Sequence, residues 1–159
     1  MENCEIERKF LVKGDFRKES FKATRIVQAY LCSAPERTVR VRVYGTRAFI
    51  TVKGAACASG VSRFEWEKEI SLDEARQLIE LAEPGVIDKT RYLVKNTDGV
   101  HTWEVDEFYG DNEGLVVAEV ELADESEPFD KPAWLGEEVT GKSNYFNSML
   151  TKNPYKNWK

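Results

Sequence analysis

The sequence predicts a mostly β protein of the α+β class: an eight-stranded antiparallel β-barrel with a charged tunnel inside and a few flanking helices. Three observations predict it. Apolar and charged residues alternate with a period of two in segment after segment, the signature of strands with two unlike faces. The charges on the polar faces are sorted by sign, as in Val39-Arg40-Val41-Arg42-Val43 and Ala118-Glu119-Val120-Glu121-Leu122. Neighbouring segments are joined by tight-turn sequences such as Gly45-Thr46 and Asp98-Gly99, which suit antiparallel hairpins.

Taken in order, the strand-like segments fall at roughly 3–12, 25–33, 37–45, 47–54, 61–70, 87–97, 101–109 and 115–123. A short helical turn is expected after Gly14, with Phe16 and Phe21 packing on the sheet. Gly54 to Gly60 is small and flexible, and Asp111-Asn112-Glu113-Gly114 forms another turn. One internal helix is expected over about 72–82, begun by Ser71 and Glu74 as a capping box and stopped by Pro84-Gly85. Its stripe is Leu72, Ala75, Leu78, Ile79 and Ala82. The acid- and proline-rich stretch 124–141 reads as irregular, and a last helix is expected near 142–151, anchored by Tyr145 and Phe146 and ended by Asn153-Pro154.

At 159 residues the chain is read as one domain, 1–159, large enough for a real core. Charged residues make up 32%, above the ~25% of ordinary soluble domains, and the tunnel interior is where the surplus would go. The net charge of −5 argues against a nucleic-acid partner, while a small anion remains possible where bases cluster. Cys4, Cys32 and Cys57 have no metal-binding spacing, and His101 is the single histidine, which argues against zinc. The odd cysteine count and the lack of a signal peptide point to the cytoplasm. No apolar run is long enough to span a membrane. A monomer and a homodimer are both compatible with such a barrel.

Function is carried by the sorted faces. In Glu5-Ile6-Glu7-Arg8-Lys9 the two carboxylates and the ammonium share one face. Arg40 with Arg42, Lys89 with Arg91, and Glu119 with Glu121 do the same, and Lys53 stands opposite Val52. A solvent face of an antiparallel sheet gives alternation too, but usually interleaves the signs. Charges enclosed in a narrow barrel need partners or ions. Basic walls would take a polyanion. Acidic walls would take a hard cation such as Mg²⁺ or Mn²⁺ riding on it. His101, by contrast, reads as a surface residue, and Trp66 and Trp103 as packing outside the barrel.

These residues in this order, together with Gln28-Ala29-Tyr30-Leu31, Thr51-Val52-Lys53, Lys89-Thr90-Arg91-Tyr92 and Trp103-Glu104-Val105-Asp106, resemble the CYTH family, the triphosphate tunnel metalloenzymes. The resemblance runs over nearly the whole chain. It implies metal-dependent hydrolysis of inorganic triphosphate, a small-molecule substrate, with Mg²⁺ or Mn²⁺ as cofactor. Carried over by position, Lys9, Arg40, Arg42, Lys53, Lys89 and Arg91 would hold phosphates. Glu5, Glu7, Glu119 and Glu121 would serve the metal, with Glu119 and Glu121 the main ligands. Tyr30 would orient the terminal phosphate beside Lys9 as the catalytic pair, and Glu67 and Asp106 would be further tunnel acids. The family also contains class IV adenylyl cyclases and thiamine triphosphatases, so the alternatives are ATP cyclisation, nucleoside or thiamine triphosphate hydrolysis, or a non-catalytic polyphosphate-binding module. Lys142 stands where many relatives have an acid.

Overall fold

The computed structural model describes residues 4–158; residue 3 of the first expected strand lies outside them. The described chain forms β1 (Cys4–Val12), β2 (Ser20–Cys32), β3 (Arg37–Tyr44), β4 (Arg47–Ala56), β5 (Ser62–Ile70), α1 (Leu72–Glu80), β6 (Ile87–Lys95), β7 (Thr102–Phe108), β8 (Val116–Glu121), β9 (Leu135–Glu138) and α2 (Asn147–Leu150). The strands run β5-β4-β3-β2-β6-β7-β8-β1, and β1 pairs with β5 to close the ring. Every pairing is antiparallel. The expected eight-stranded barrel is therefore present.

β1 completes the barrel by changing partners. Residues 4–6 pair with β5, whereas Glu7–Leu11 pair with β8 on the other edge. Past the end of β5 the free edge of β1 is taken by β9, which sits against Phe10 and Val12. This ninth strand lies in the stretch expected to be irregular. It is pinned by tertiary contacts: Arg8 donates from Nε and Nη2 to the Glu138 carboxylate at 2.8 and 2.6 Å, and the Arg8 guanidinium lies 5.1 Å from the Phe129 ring centroid.

The apolar halves of the alternation point outward and are covered there. α1 begins with the expected capping box, the Ser71 side chain accepting from the Glu74 N–H and Glu74 accepting from the Ser71 N–H. It lays Ala75, Leu72, Leu78 and Ile79 over Val41, Ala48, Ile50 and Ile70. On the far side Phe10, Phe16, Trp103, Val105, Val120 and Trp134 form a second outer core, so Trp103 packs outside the barrel as expected, and Trp66 stays there half exposed. Phe21, expected to pack, is 55% exposed. It belongs to β2, which starts five residues before the expected position and turns that side chain to solvent. The last helix is also shorter than expected. A 3-10 turn at Ser143–Tyr145 and the single turn α2 share the segment.

A third apolar cluster lies within the barrel. Leu11, Ile87, Phe108 and Val117 share the inward faces of Lys9, Lys89, Asp106 and Glu119, and Leu150 of α2 packs among them. They fill the inward face of the barrel next to Lys89 and Asp106.

His101 is a correction to the surface assignment. Its side chain is only 7% exposed and is held between Asp98, 2.7 Å from Nδ1, and Glu127 at Nε2. The turn at Asp98 sets one carboxylate against the ring and the distant Glu127 supplies the other, which strand periodicity does not reveal. The Asp98 hydrogen bond, ahead of that from Glu127, raises the His101 pKa above its usual value. A raised folded pKa stabilises fully below the unfolded value and loses that contribution as pH climbs through the folded one. Thermal stability is expected to fall as pH rises above about 6.5, and His101→Gln should flatten that decline. A melting series with the same slope in both proteins would contradict the clamp.

Candidate active site

The inward faces enclose a cavity of about 370 Å³. Sheet register explains which groups meet. Lys9 stands beside Glu119 and Glu7 beside Glu121 across β1–β8. Arg40 stands beside Thr51 and Tyr30, and Arg91 beside Asp106. Of the residues singled out from the sequence, Glu5, Glu7, Lys9, Tyr30, Arg40, Arg42, Lys53, Glu67, Lys89, Arg91, Glu119 and Glu121 all line this one cavity. Asp106 lies just behind it, accepting from Arg91 Nε and Nη2 at 2.8 and 2.9 Å and from Lys89 at 2.7 Å.

The site is graded from buried floor to open mouth. Lys89, Asp106 and Arg40 are 1%, 2% and 7% exposed, whereas the side chains of Arg47, Glu67 and Glu104 are 62%, 43% and 37% exposed. Glu121 is also exposed and belongs to the mouth, while Glu119 lies inside. Arg63, Glu65, Glu104 and Asn147 line the cavity too, although no role was assigned to them from the sequence. Arg63 and Glu65 share the face of Glu67, and Glu104 that of Asp106, so the period-two rule reaches them. Asn147 lies outside any strand, and no periodicity marks it. Lys142, the departure from related sequences, is exposed and pairs with Glu137 at 2.9 Å, away from the cavity.

Crowding of like charges in a buried space sets the electrostatics. Burial, with Arg40 and Arg91 nearby, brings the Arg42 pKa down to about 9. Burial brings Lys89 down to about 7, reinforced by Arg91 and Arg42 and opposed by Asp106. On the acidic wall, burial and the charges of Glu119 and Glu5 push Glu7 well above the carboxylate range. Burial would raise Glu119 as well, but Lys9 and a hydrogen bond from Glu7 hold it at about 2. Glu7 and Glu119 therefore titrate as a coupled pair, with Glu7 shifted up and Glu119 down. Glu5 is paired with Lys53 at 3.0 Å, and burial and the Glu5 charge lift neighbouring Glu65 to about 7.

Two features are unresolved by the protein alone. Arg40 Nε is buried without a hydrogen-bond partner, and the carboxyl groups of Glu7 and Glu119 are set close together in a buried space, where two negative charges repel. An anion would satisfy the first and a cation the second. Among the described residues no three acid, imidazole or thiol groups close on a common point. Mg²⁺ does not need such a cage, since it commonly takes one or two carboxylates and completes its shell with phosphate oxygens and water. The all-oxygen donors Glu7, Glu119 and Glu5 fit a hard divalent ion of that kind.

The family model for the CYTH domain matches residues 3–154. The chain is 50% identical over 156 residues to an inorganic triphosphatase of Acetivibrio thermocellus, covering 98% of this chain and 97% of that protein. It is 37% identical over 149 residues to an inorganic triphosphatase of Nitrosomonas europaea, covering 92% and 95%. A solved crystal structure of an inorganic triphosphatase superposes with a TM-score of 0.67 at 35% identity, covering 92% of this chain and 93% of the other.

Proposed function

The chain belongs to the CYTH domain family, and from that premise we propose that it hydrolyses inorganic triphosphate with a divalent metal inside the barrel, the whole chain 1–159 acting as one domain. The observation that carries the proposal is Arg40, a buried guanidinium with an unpartnered Nε facing a cavity lined by Lys9, Arg42, Lys53, Lys89 and Arg91. Desolvated cations at this density are stabilised by a polyanion threaded among them. The named triphosphatase relatives support the choice of substrate.

Lys89 and Arg91, fixed from behind by Asp106, would hold the inner phosphate. Arg40 and Arg42 would grip phosphate oxygens in guanidinium forks, and Lys53 and Lys9 would add point charges. Tyr30, 5% exposed beside Arg40, would orient the terminal phosphate with Lys9. Glu7 and Glu119, with Glu5, would hold the metal, and Glu121 and Glu67 would act from the mouth. Bound Mg²⁺ or Mn²⁺ would supply charge neutralisation and an activated water for in-line attack. The chain's own part is to strip water from the substrate, fix its phosphates and keep the acidic wall beside them. Release of the Glu7 proton is the expected counterpart of cation binding. The three thiols are free and no described helix is long and apolar enough to cross a membrane, which supports a cytoplasmic enzyme.

Phosphate release from triphosphate is expected to stop when metal is stripped with a chelator and to return with Mg²⁺ or Mn²⁺. Turnover that survives the chelator would contradict the role of the acidic wall.

A further inference from the structure

The cavity floor is tied to the C-terminal segment by a single chain of side-chain hydrogen bonds. Lys89 Nζ donates to Asn147 Oδ1 at 2.8 Å. Gln28 Nε2 donates to the same oxygen at 2.9 Å. Gln28 Oε1 in turn accepts from Arg42 Nε at 2.7 Å. The middle of the chain is dry, with Gln28 and Lys89 0% and 1% exposed. Each amide therefore has one allowed orientation, because a flip of Asn147 would set an NH₂ against the Lys89 ammonium.

We propose that Asn147 is a positioning residue for phosphate binding: its side-chain oxygen fixes the Lys89 ammonium directly and the Arg42 guanidinium through Gln28. This rests on the triphosphatase proposal above and adds a residue outside the barrel strands to it. Lys89 has two anchors, Asn147 and Asp106. With both in place two of its three donors are used, at 2.8 and 2.7 Å, so the ammonium has a fixed direction and one donor left for substrate. Without Asn147 the ammonium keeps only Asp106, both of whose oxygens Arg91 also uses, and can swing about that single contact. Loss of the same oxygen leaves Gln28 Nε2 buried and unpaired, so Gln28 turns and releases Arg42. Two of the six expected phosphate cations thus depend on one amide oxygen supplied by α2.

The test uses Asn147→Ala, Gln28→Ala, the double variant and Asn147→Asp in the full-length protein, with inorganic triphosphate and Mg²⁺. Asn147→Ala is expected to raise KM for triphosphate about tenfold with kcat changed much less. The double variant should be no worse than the more impaired single one, since both cut the same chain. Asn147→Asp keeps the acceptor oxygen and should recover most of the KM loss. A KM for Asn147→Ala within twofold of the parent overturns the proposal, as does an Asp variant no better than alanine. Should the parent fail to turn over triphosphate, the functional proposal falls, and the positioning role is decided by the Lys89 ammonium resonance in protein labelled at lysine Nζ. Asn147→Ala moves that signal if Asn147 fixes Lys89, and an unmoved signal overturns it.

Discussion

Arg40→Ala is expected to lower kcat/KM for inorganic triphosphate by about 10²–10³-fold, the loss typical of removing one preorganised donor from a water-poor site. The guanidinium is 7% exposed, donates from Nη2 to Thr51 at 3.2 Å and lies 3.8 Å from Glu67. These contacts hold its plane while Nε stays free. The fold should tolerate the change, because no partner is left with an unpaired buried charge: Thr51 keeps its hydrogen bond to Glu67 at 2.8 Å. Arg40→Lys should recover only part of the loss, since an ammonium replaces the charge but not the fork. Kinetics equal to the parent would show that Arg40 does not meet substrate.

The second large effect is expected at Glu119. Its carboxylate is held ionised deep in the cavity by Lys9 and Glu7, where a divalent ion would displace the Glu7 proton. Glu119→Ala is expected to cut metal-dependent turnover by about 10³-fold. It should also lower the Glu7 pKa, because the Glu119 charge is the main cause after burial of its elevation. The titration of Glu7 by NMR therefore checks the pair independently of catalysis. Glu121→Ala, made at the exposed mouth, is expected to cost less. Equal turnover in Glu119→Ala and the parent would remove Glu119 from the metal site.

Much of this was legible because a barrel wall obeys one rule. Period-two alternation separates the tunnel face from the outer face without any knowledge of partners, so residues from β1 to β8 could be gathered before their contacts were known. The same rule puts Arg63, Glu65 and Glu104 on the charged faces, but gives them no role. Depth is a different matter. Glu119 and Glu121 look equivalent in the sequence, yet stagger of the closed sheet buries one and exposes the other. β9, the His101 clamp and Asn147 share a further reason for being hidden. Each depends on contacts between segments far apart in the chain: Arg8 with Glu138, His101 with Glu127, and Lys89 with Asn147. Local pattern carries no signal for such pairs. The apolar plug formed by Leu11, Ile87, Phe108, Val117 and Leu150 has the same origin, since alternation says which way Leu11 points but not that the inward face changes from charged to apolar along the barrel.

The most direct test is a substrate panel of inorganic triphosphate, pyrophosphate, ATP and thiamine triphosphate, each with Mg²⁺ or Mn²⁺, reading both phosphate release and cyclic nucleotide. Metal-dependent release of phosphate, with kcat/KM highest for inorganic triphosphate, is the expected result. Cyclic AMP formed from ATP, or no turnover of triphosphate with either metal, would contradict the proposal.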